Sequence, residues 1–197
     1  MSGVVTVIVV VVVVVVLAGI GLALRPRMRS RRLREKFGPE YDRTVQEAPN
    51  RRDAERELSE REKRHQQLEL RDLSEDERQR YGTQWAATQE RFVDDPVAAL
   101  SSADQLVTQV MSERGYPTDS YDQQLADLSV EHARPLGRYR TAHEIAGRAG
   151  RGEVSTEDMR SAIVNYRALF VDLLDGNQHD ANRNEEQSNG RHRTPQN

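Results

Sequence analysis

The sequence contains no cysteine and few aromatic residues. Its 197 residues include one Trp, three Phe and six Tyr. The absence of cysteine excludes disulfides, thiol catalysis and cysteine-ligated metal. No segment alternates polar and apolar residues convincingly at a period of two, so the pattern does not predict β-strands. The formal net charge of −3 gives no general attraction to nucleic acid.

One long stretch, Val4 to Leu24, lacks charged residues altogether. It reads VVTVIVVVVVVVVLAGIGLAL and follows a short N-terminus at residues 1–3. Since a helix rises 1.5 Å per residue, about 20 apolar residues cross a hydrocarbon core of about 30 Å. The stretch therefore predicts a single transmembrane helix at 4–24. Gly19 and Ala23 form a small-xxx-small pair that could let two spans approach as a homodimer.

A basic collar follows the predicted span at residues 25–36. Its seven cations are Arg25, Arg27, Arg29, Arg31, Arg32, Arg34 and Lys36. Because residues 1–3 carry no charged side chain, the positive-inside rule places the N-terminus outside the cell membrane and the rest of the chain in the cytoplasm. Each cation near an anionic leaflet contributes about 1 kcal/mol, so we expect the collar to contact the bilayer and its anionic headgroups.

A cleaved signal peptide is the alternative explanation of the same stretch, and it would make the mature protein an exported one. A signal peptide usually has a charged start, a shorter apolar core and a small-residue cleavage site. Here the start is uncharged, the apolar run is long, and seven cations follow it. These features favour an uncleaved membrane anchor.

Residues 37–73 are rich in charge and predict a helical stalk. Asn50 follows Pro49 and is a suitable N-cap for a helix from Arg51 to about Asp72. A coiled coil would need apolar residues at the seam positions of several heptads, but charged residues occupy some of them. The pattern therefore indicates a charged stalk or solvated helix, and by itself it does not predict self-association.

Residues 74–174 hold nearly all the apolar side chains beyond the predicted span. Ser74 with Glu77 and Ser155 with Asp158 are capping-box starts, and Asp95 precedes Pro96 as a further N-cap. Apolar residues recur behind these starts at helical spacing, so we predict an all-α fold, a compact antiparallel bundle of four to five helices. The polar tail at 175–197 predicts disorder.

Two histidines, His132 and His143, are the candidate functional residues. They lie on an apolar stripe that begins near Asp119, and Pro135 predicts a kink or a division into two shorter helices there. Each histidine has a glutamate beside it, and a buried imidazole near a carboxylate can serve as a proton sensor or a general base. Since neither a nucleophile nor a third group accompanies them, the pattern favours core histidines.

No motif in the sequence predicts a metal, a cofactor or a catalytic residue. Glu62 and His65 make one Glu-x-x-His pair, whereas a di-iron bundle needs two such pairs. Gly147 stands where a His-Glu-x-x-His motif starting at His143 would need its second histidine. The one dense basic run lies against the predicted membrane, so we expect no nucleic-acid partner.

Several short motifs resemble an uncharacterised family of bacterial proteins. They are Phe37–Tyr41 (FGPEY), Ala54–Arg64 (AERELSEREKR), Arg91–Pro96 (RFVDDP), Arg114–Pro117 (RGYP), Ser129–His132 (SVEH), Tyr139–Ile145 (YRTAHEI) and Tyr166–Phe170 (YRALF). The resemblance covers roughly Phe37 to Leu174. It implies one N-terminal span and a helical domain, and it implies no activity or functional residue.

The sequence as a whole predicts a membrane-anchored cytoplasmic helical protein without enzymatic activity. Its expected role is to bind or organise a protein partner, whose identity the sequence does not indicate. The alternatives are a histidine-dependent sensor or enzyme that uses His132 and His143, and a protein exported after signal cleavage.

Overall fold

A computed structural model describes residues 27–176 of the chain, together with Gly3 and Val7. Every regular element within 27–176 is a helix and no strand occurs there, which confirms the all-α prediction for these residues. The predicted span other than Val7, the collar residue Arg25 and the tail from residue 177 lie outside the described residues. Among the helices that are described, none is long and apolar enough to cross a membrane.

The described helices belong to two compact units that divide within one helix, between Glu60 and Arg61. The first unit contains α1, described at 27–37, then α2 and the first part of α3. The second unit contains the remaining helices. The bounds of the helices after α1, in both units, are α2 Pro39–Glu47, α3 Arg51–His65, α4 Glu75–Asp94, α5 Pro96–Glu113, α6 Tyr121–Leu128, α7 Ala133–Ala149 and α8 Thr156–Asp175.

Turn and cap residues define the helices of the first unit. Gly38 has a positive φ of 49°, which glycine adopts without a side-chain clash, and Pro39 opens α2 directly after it. The side chain of Asn50 accepts a hydrogen bond from the backbone N–H of Asp53 at 3.0 Å, so it caps α3 as predicted. The buried apolar side chains of this unit are Leu33, Phe37, Tyr41, Ala54 and Leu58.

A five-helix bundle forms the second unit, and α5 lies at its centre. This helix packs against α4, α7 and α8, and α7 packs against α8. The rings of Trp85 and Phe170 stack with their centroids 4.6 Å apart, and both side chains are buried. The predicted capping boxes at α4 and α8 are present, and Asp95 caps α5. The apolar faces predicted from helical spacing are thus the faces that form the core.

Helix α3 is shorter than its charge pattern predicts. The pattern predicts a helix that extends to about Asp72, but α3 ends at His65. The following segment instead lies beside the end of α5, where the backbone N–H of Arg71 donates to the carbonyl oxygen of Arg114 at 3.0 Å. Residues 51–73 contain no glycine or proline, so a tertiary contact rather than a local signal accompanies the end of the helix.

The stripe that carries the two histidines is divided into two shorter helices, α6 and α7. The sequence predicts either this division or a kink. The division precedes Pro135: the chain leaves helical geometry at residues 129–132, and Pro135 lies in the first turn of α7. A missing N–H is harmless there because the first turn has no intrahelical acceptor for it. His132 consequently occupies the N-cap of α7 rather than a helix interior.

Gly115 allows the segment after α3 to approach the end of α5, and this predicts opposite effects for two Gly→Ala variants. Gly115 has a φ of 92°, and an added Cβ would lie 2.5 Å from the carbonyl oxygen of Glu69. We expect Gly115→Ala to lower the free energy of unfolding by about 2 kcal/mol or more. Gly137→Ala, in an open helical position, should raise it by about 0.5–1 kcal/mol.

Urea titration followed by Trp85 fluorescence measures both changes, because Trp85 is the only tryptophan and is buried in this unit. Equal stability of the two variants would contradict the close approach of residues 69 and 115.

Candidate functional site

His132 lies in a chain of three side chains that joins separate segments of the second unit. His132 and Tyr116 are buried, whereas the side chain of Asp172 is 36% exposed. The Nδ1 atom of His132 is 2.6 Å from Oδ2 of Asp172 in α8, and its Nε2 atom is 3.2 Å from the hydroxyl of Tyr116. Because a carboxylate only accepts, Nδ1 carries the proton toward Asp172. In the neutral ring Nε2 then accepts a hydrogen bond from the Tyr116 hydroxyl.

The Tyr116 hydroxyl also contacts a second acidic group. Oε2 of Glu131 lies 3.3 Å from it and 3.8 Å from Nε2 of His65. Burial raises the pKa of Tyr116, and the negative charge of Glu131 raises it further. The phenol therefore keeps its single proton, which it can donate to His132 or to Glu131 but not to both at the same time.

The order carboxylate–imidazole–hydroxyl resembles a catalytic arrangement, but the imidazole and the hydroxyl are enclosed. Only 4% of His132 and 3% of Tyr116 are exposed. A general base must come within hydrogen-bond reach of the proton that it removes from a substrate. The geometry instead suits a polar contact within the core, where hydrogen-bonded partners offset the cost of burying each group.

His143 lies in a different environment and shares none of these partners. Its Nδ1 atom is 3.0 Å from Oδ1 of Asp104 in α5, and its ring stacks on Tyr121 with centroids 4.0 Å apart. The side chain is 39% exposed, compared with 5% for His132. The two candidate histidines therefore belong to separate clusters, although the sequence placed them on one stripe.

Two buried tyrosines lie in the same cluster as His143. Burial raises the pKa of Tyr139 and of Tyr166, and the negative charge of Asp104 is the next cause for both. The rings of Tyr139 and Tyr166 meet edge to face at 5.8 Å. Tyr139 and Tyr166 are therefore neutral phenols, and they form the buried part of a cluster whose His143–Asp104 pair is partly exposed.

Buried charges that the sequence did not single out connect other parts of the second unit. Arg114 is 2% exposed and donates to the carbonyl oxygen of Leu173 at 3.2 Å. Asp127 is fully buried and accepts hydrogen bonds from Arg64 at 3.0 Å and Gln123 at 2.7 Å. Helical spacing alone cannot distinguish such buried charged residues from solvated ones, because nothing in the surrounding sequence marks their positions as buried.

In the first unit, the carboxylate of Glu55 joins all three helices. Its Oε1 atom accepts hydrogen bonds from Ser30 of α1 at 2.6 Å, Tyr41 of α2 at 2.8 Å and Arg51 of α3 at 2.9 Å. Burial by itself would raise the pKa of Glu55. The hydrogen bonds from Ser30, Tyr41 and Arg51 outweigh burial, so the pKa lies below its ordinary value.

A basic groove lies beside Glu55 and has a volume of about 530 Å³. Three of its arginines fall on one face of α1, at spacings of four and three, and two more come from the first turn of α3. Every cation in the groove is an arginine. The residues that line the basic groove are Arg27, Ser30, Arg31, Arg34, Arg51, Arg52 and Glu55.

Several cations of the predicted collar make contacts within the first unit. Arg29 donates to Ser59 at 2.8 Å and to the carbonyl oxygen of Glu55 at 3.2 Å. Arg34 pairs with Asp42 at 3.0 Å, and its guanidinium lies over the Tyr41 ring. The described part of the collar, residues 27–36, therefore belongs to a folded helical unit, and only some of its cations line the groove. Its contact with a membrane surface stays a prediction.

The described residues hold no group of three or more histidine, aspartate or glutamate side chains arranged to bind a metal ion. In this part of the chain Glu62 and His65, the one Glu-x-x-His pair, are both largely buried. His65 faces Glu131 rather than a second pair of that kind.

Comparisons of the chain with protein-family models, with curated proteins and with solved structures find no match. The fold accordingly defines the described residues as an all-helical protein with a five-helix bundle. The resemblance to the bacterial family described above stays a prediction.

The buried contact of His132 predicts a loss of stability when it is removed. His132→Gln should lower the free energy of unfolding of the second unit by about 1–3 kcal/mol, because Asp172 and Tyr116 lose a buried partner. His143→Gln should cost less than about 1 kcal/mol, since that side chain is partly solvated. Urea titration followed by Trp85 fluorescence measures both.

A double-mutant cycle with Asp172→Asn isolates the His132–Asp172 contact. Losses that add independently would contradict the contact, and unchanged stability of His132→Gln would contradict its structural role.

The lowered pKa of Glu55 predicts an acid-sensitive first unit. A carboxyl whose folded pKa is depressed contributes stability that is fully present above its unfolded pKa, near 4.5, and is lost as the pH falls through the folded value. Glu55→Gln should reduce stability by about 1–3 kcal/mol at neutral pH and weaken the acid dependence. Hydrogen exchange of backbone amides in residues 27–60 of the full chain measures both effects.

Glu60→Gln is the matched control for this experiment. The Glu60 side chain is 66% exposed and lies 4.0 Å from Arg56, so its removal should leave the exchange rates nearly unchanged. Equal effects of the two variants would show that Glu55 does not hold the helices together.

Proposed function

We propose that this protein is a membrane-anchored cytoplasmic module that binds or organises a protein partner at the membrane surface. In this proposal residues 4–24 form a single transmembrane helix with the N-terminus outside. The first helical unit then lies at the inner leaflet, and the five-helix bundle is the interaction domain. The proposal rests on one observation above all, the continuity of an uncharged run with a helix that carries arginines on one face.

The arrangement of charge supports the anchoring part of the proposal. Arg27, Arg31 and Arg34 share a face of α1 that begins three residues after Leu24. A run of 21 uncharged residues followed by such a face matches the positive-inside pattern. The Glu55 contacts hold α1 in a fixed position against α2 and α3, so these arginines are presented together.

The environment of the histidines supports a role in binding more than a role in catalysis. His132 and Tyr116 bond to partners within the core, and His143 is held by Asp104 and Tyr121. These contacts account for the polar residues on the apolar stripe as structural elements. The exposed surface of the bundle is therefore the region available for a partner.

The predicted anchor can be tested by placing charge in its middle. Arginine costs about 2.5–3.5 kcal/mol at the centre of a span, so Val11→Arg combined with Val14→Arg should move the chain from the membrane fraction to the soluble fraction. Val164→Arg, at an exposed position of α8, adds a cation without touching the run and should leave the distribution unchanged. Alkaline extraction and immunoblotting measure the distribution, and a wild-type chain in the soluble fraction would contradict anchoring.

The interaction part of the proposal predicts a reproducible partner in native membranes. A photo-crosslinking residue at Val93, Val164 or Val171, all exposed positions of the bundle, should yield a discrete adduct that mass spectrometry identifies. The adduct should diminish in the Val11→Arg/Val14→Arg variant, because that variant is no longer concentrated at the membrane. A chain that stays monomeric and without adducts at all three positions would contradict the proposal.

A further inference from the structure

We infer that the basic groove of the first unit is a binding site for a dianionic phosphate group, either a phosphomonoester on a lipid headgroup or a free di- or polyphosphate. The inference goes beyond general attraction to a membrane surface. It adds Arg51 and Arg52, which lie outside the predicted collar, and it assigns a concave site with a particular ligand chemistry.

The geometry of the groove brings together cations that are distant in sequence. Arg27, Arg31 and Arg34 form one wall, and Arg51 and Arg52 in the first turn of α3 form the other. A volume of about 530 Å³ falls in the size range of small-molecule sites. The N-terminus of α3 adds the positive end of a helix dipole to the second wall.

The chemistry of the lining favours phosphate over a general anionic surface. All five cations are arginines, whose planar guanidinium groups form paired hydrogen bonds with phosphate oxygens. Glu55 is the one acid in the groove, and its Oε1 atom already accepts from Ser30, Tyr41 and Arg51. Its carboxylate therefore holds the two walls in place.

Charge is segregated between two faces of the first unit. Residues 27–60 carry ten basic and eight acidic side chains, so the unit as a whole is only weakly basic. Five of the ten cations nevertheless line the groove. The opposite face of α3 borders a second cavity, of about 370 Å³, where acids predominate: Glu47, Asp53, Glu57 and Glu60, with Arg56 among them. Three of the groove's arginines, Arg31, Arg34 and Arg51, also pair with the carboxylates of Glu35, Asp42 and Glu55. The segregation therefore gives the groove a local excess of positive charge that these pairs reduce.

The test compares two double variants that remove the same charge. Arg27→Gln with Arg52→Gln takes one cation from each wall of the groove. Arg43→Gln with Arg56→Gln takes two exposed cations outside it, which pair with Glu47 and Asp53 respectively. Inorganic pyrophosphate is the soluble probe, titrated calorimetrically into the full chain in neutral detergent micelles.

We expect the dissociation constant for pyrophosphate to rise at least about tenfold in the groove variant, because two charge-assisted contacts are lost, and less than twofold in the control. Hydrogen exchange of residues 27–37 and 51–55 should slow on binding in the wild type and in the control variant, but not in the groove variant. If the two double variants weaken pyrophosphate binding equally, the binding depends only on net charge, and the inference is overturned.

A second arm distinguishes the two sources of the phosphate. The full chain is placed in nanodiscs of phosphatidylcholine with either phosphatidic acid, a phosphomonoester, or phosphatidylglycerol, a diester. If phosphatidic acid slows hydrogen exchange at the groove, and the Arg27→Gln/Arg52→Gln variant loses this protection, the phosphate belongs to a lipid headgroup. Pyrophosphate binding without such protection would assign a free polyphosphate. Absence of both, or equal protection by the two lipids, would overturn the inference.

Only the assignment of the phosphate to a lipid headgroup depends on the proposed membrane anchor. The pyrophosphate measurement is made in micelles without a bilayer or a protein partner, so its failure is distinguishable from failure of the proposed function.

Discussion

The Glu55 carboxylate is the contact on which the first unit depends. This unit has few apolar side chains and many charged ones, so hydrophobic burial alone gives it little stability. A single carboxylate oxygen that accepts from α1, α2 and α3 replaces part of that burial with directional contacts. The same contacts fix where the arginines of α1 and α3 lie. Stability of the unit and the shape of its basic groove therefore have one common cause.

The second unit uses polar contacts differently, because it has an extensive apolar core. Its helices are packed through α5, and several of its buried polar groups lie in loops or at helix ends. Tyr116, His132 and Asp172 belong to three such segments, and Arg114 bonds to the last turn of α8. Such contacts do little to drive folding, since each group loses water when it is buried. They do specify how the connecting segments are placed.

Much of the fold could be predicted because it depends on local signals. The caps at Ser74, Asp95 and Ser155 and the apolar faces behind them need only neighbouring residues, and they are found where expected. The end of α3 could not be predicted, since it coincides with a contact to Arg114, more than forty residues away.

Less of the candidate site could be predicted, for the same reason. His132 and His143 were recognisable as polar residues on an apolar stripe. Their partners Asp172 and Asp104 come from other helices and follow no motif with them. Glu55 looked like one of many glutamates in a charged helix. Its role depends on Ser30 and Tyr41, which only the tertiary fold brings close. Contacts between residues that are distant in the chain produce no periodic pattern in a single sequence.

We propose that the first helical unit begins at a membrane surface, and the depth of Met28 tests this most directly. Met28 lies four residues after Leu24 and is 71% exposed on α1, and the chain has no native cysteine to compete with a single introduced label. A spin label there, with the full chain in bilayers, should show headgroup depth by its relative accessibility to oxygen and to a water-soluble nickel chelate. A label at Val93 of the bundle should report bulk water. Equal, fully aqueous accessibility at both positions would contradict the claim.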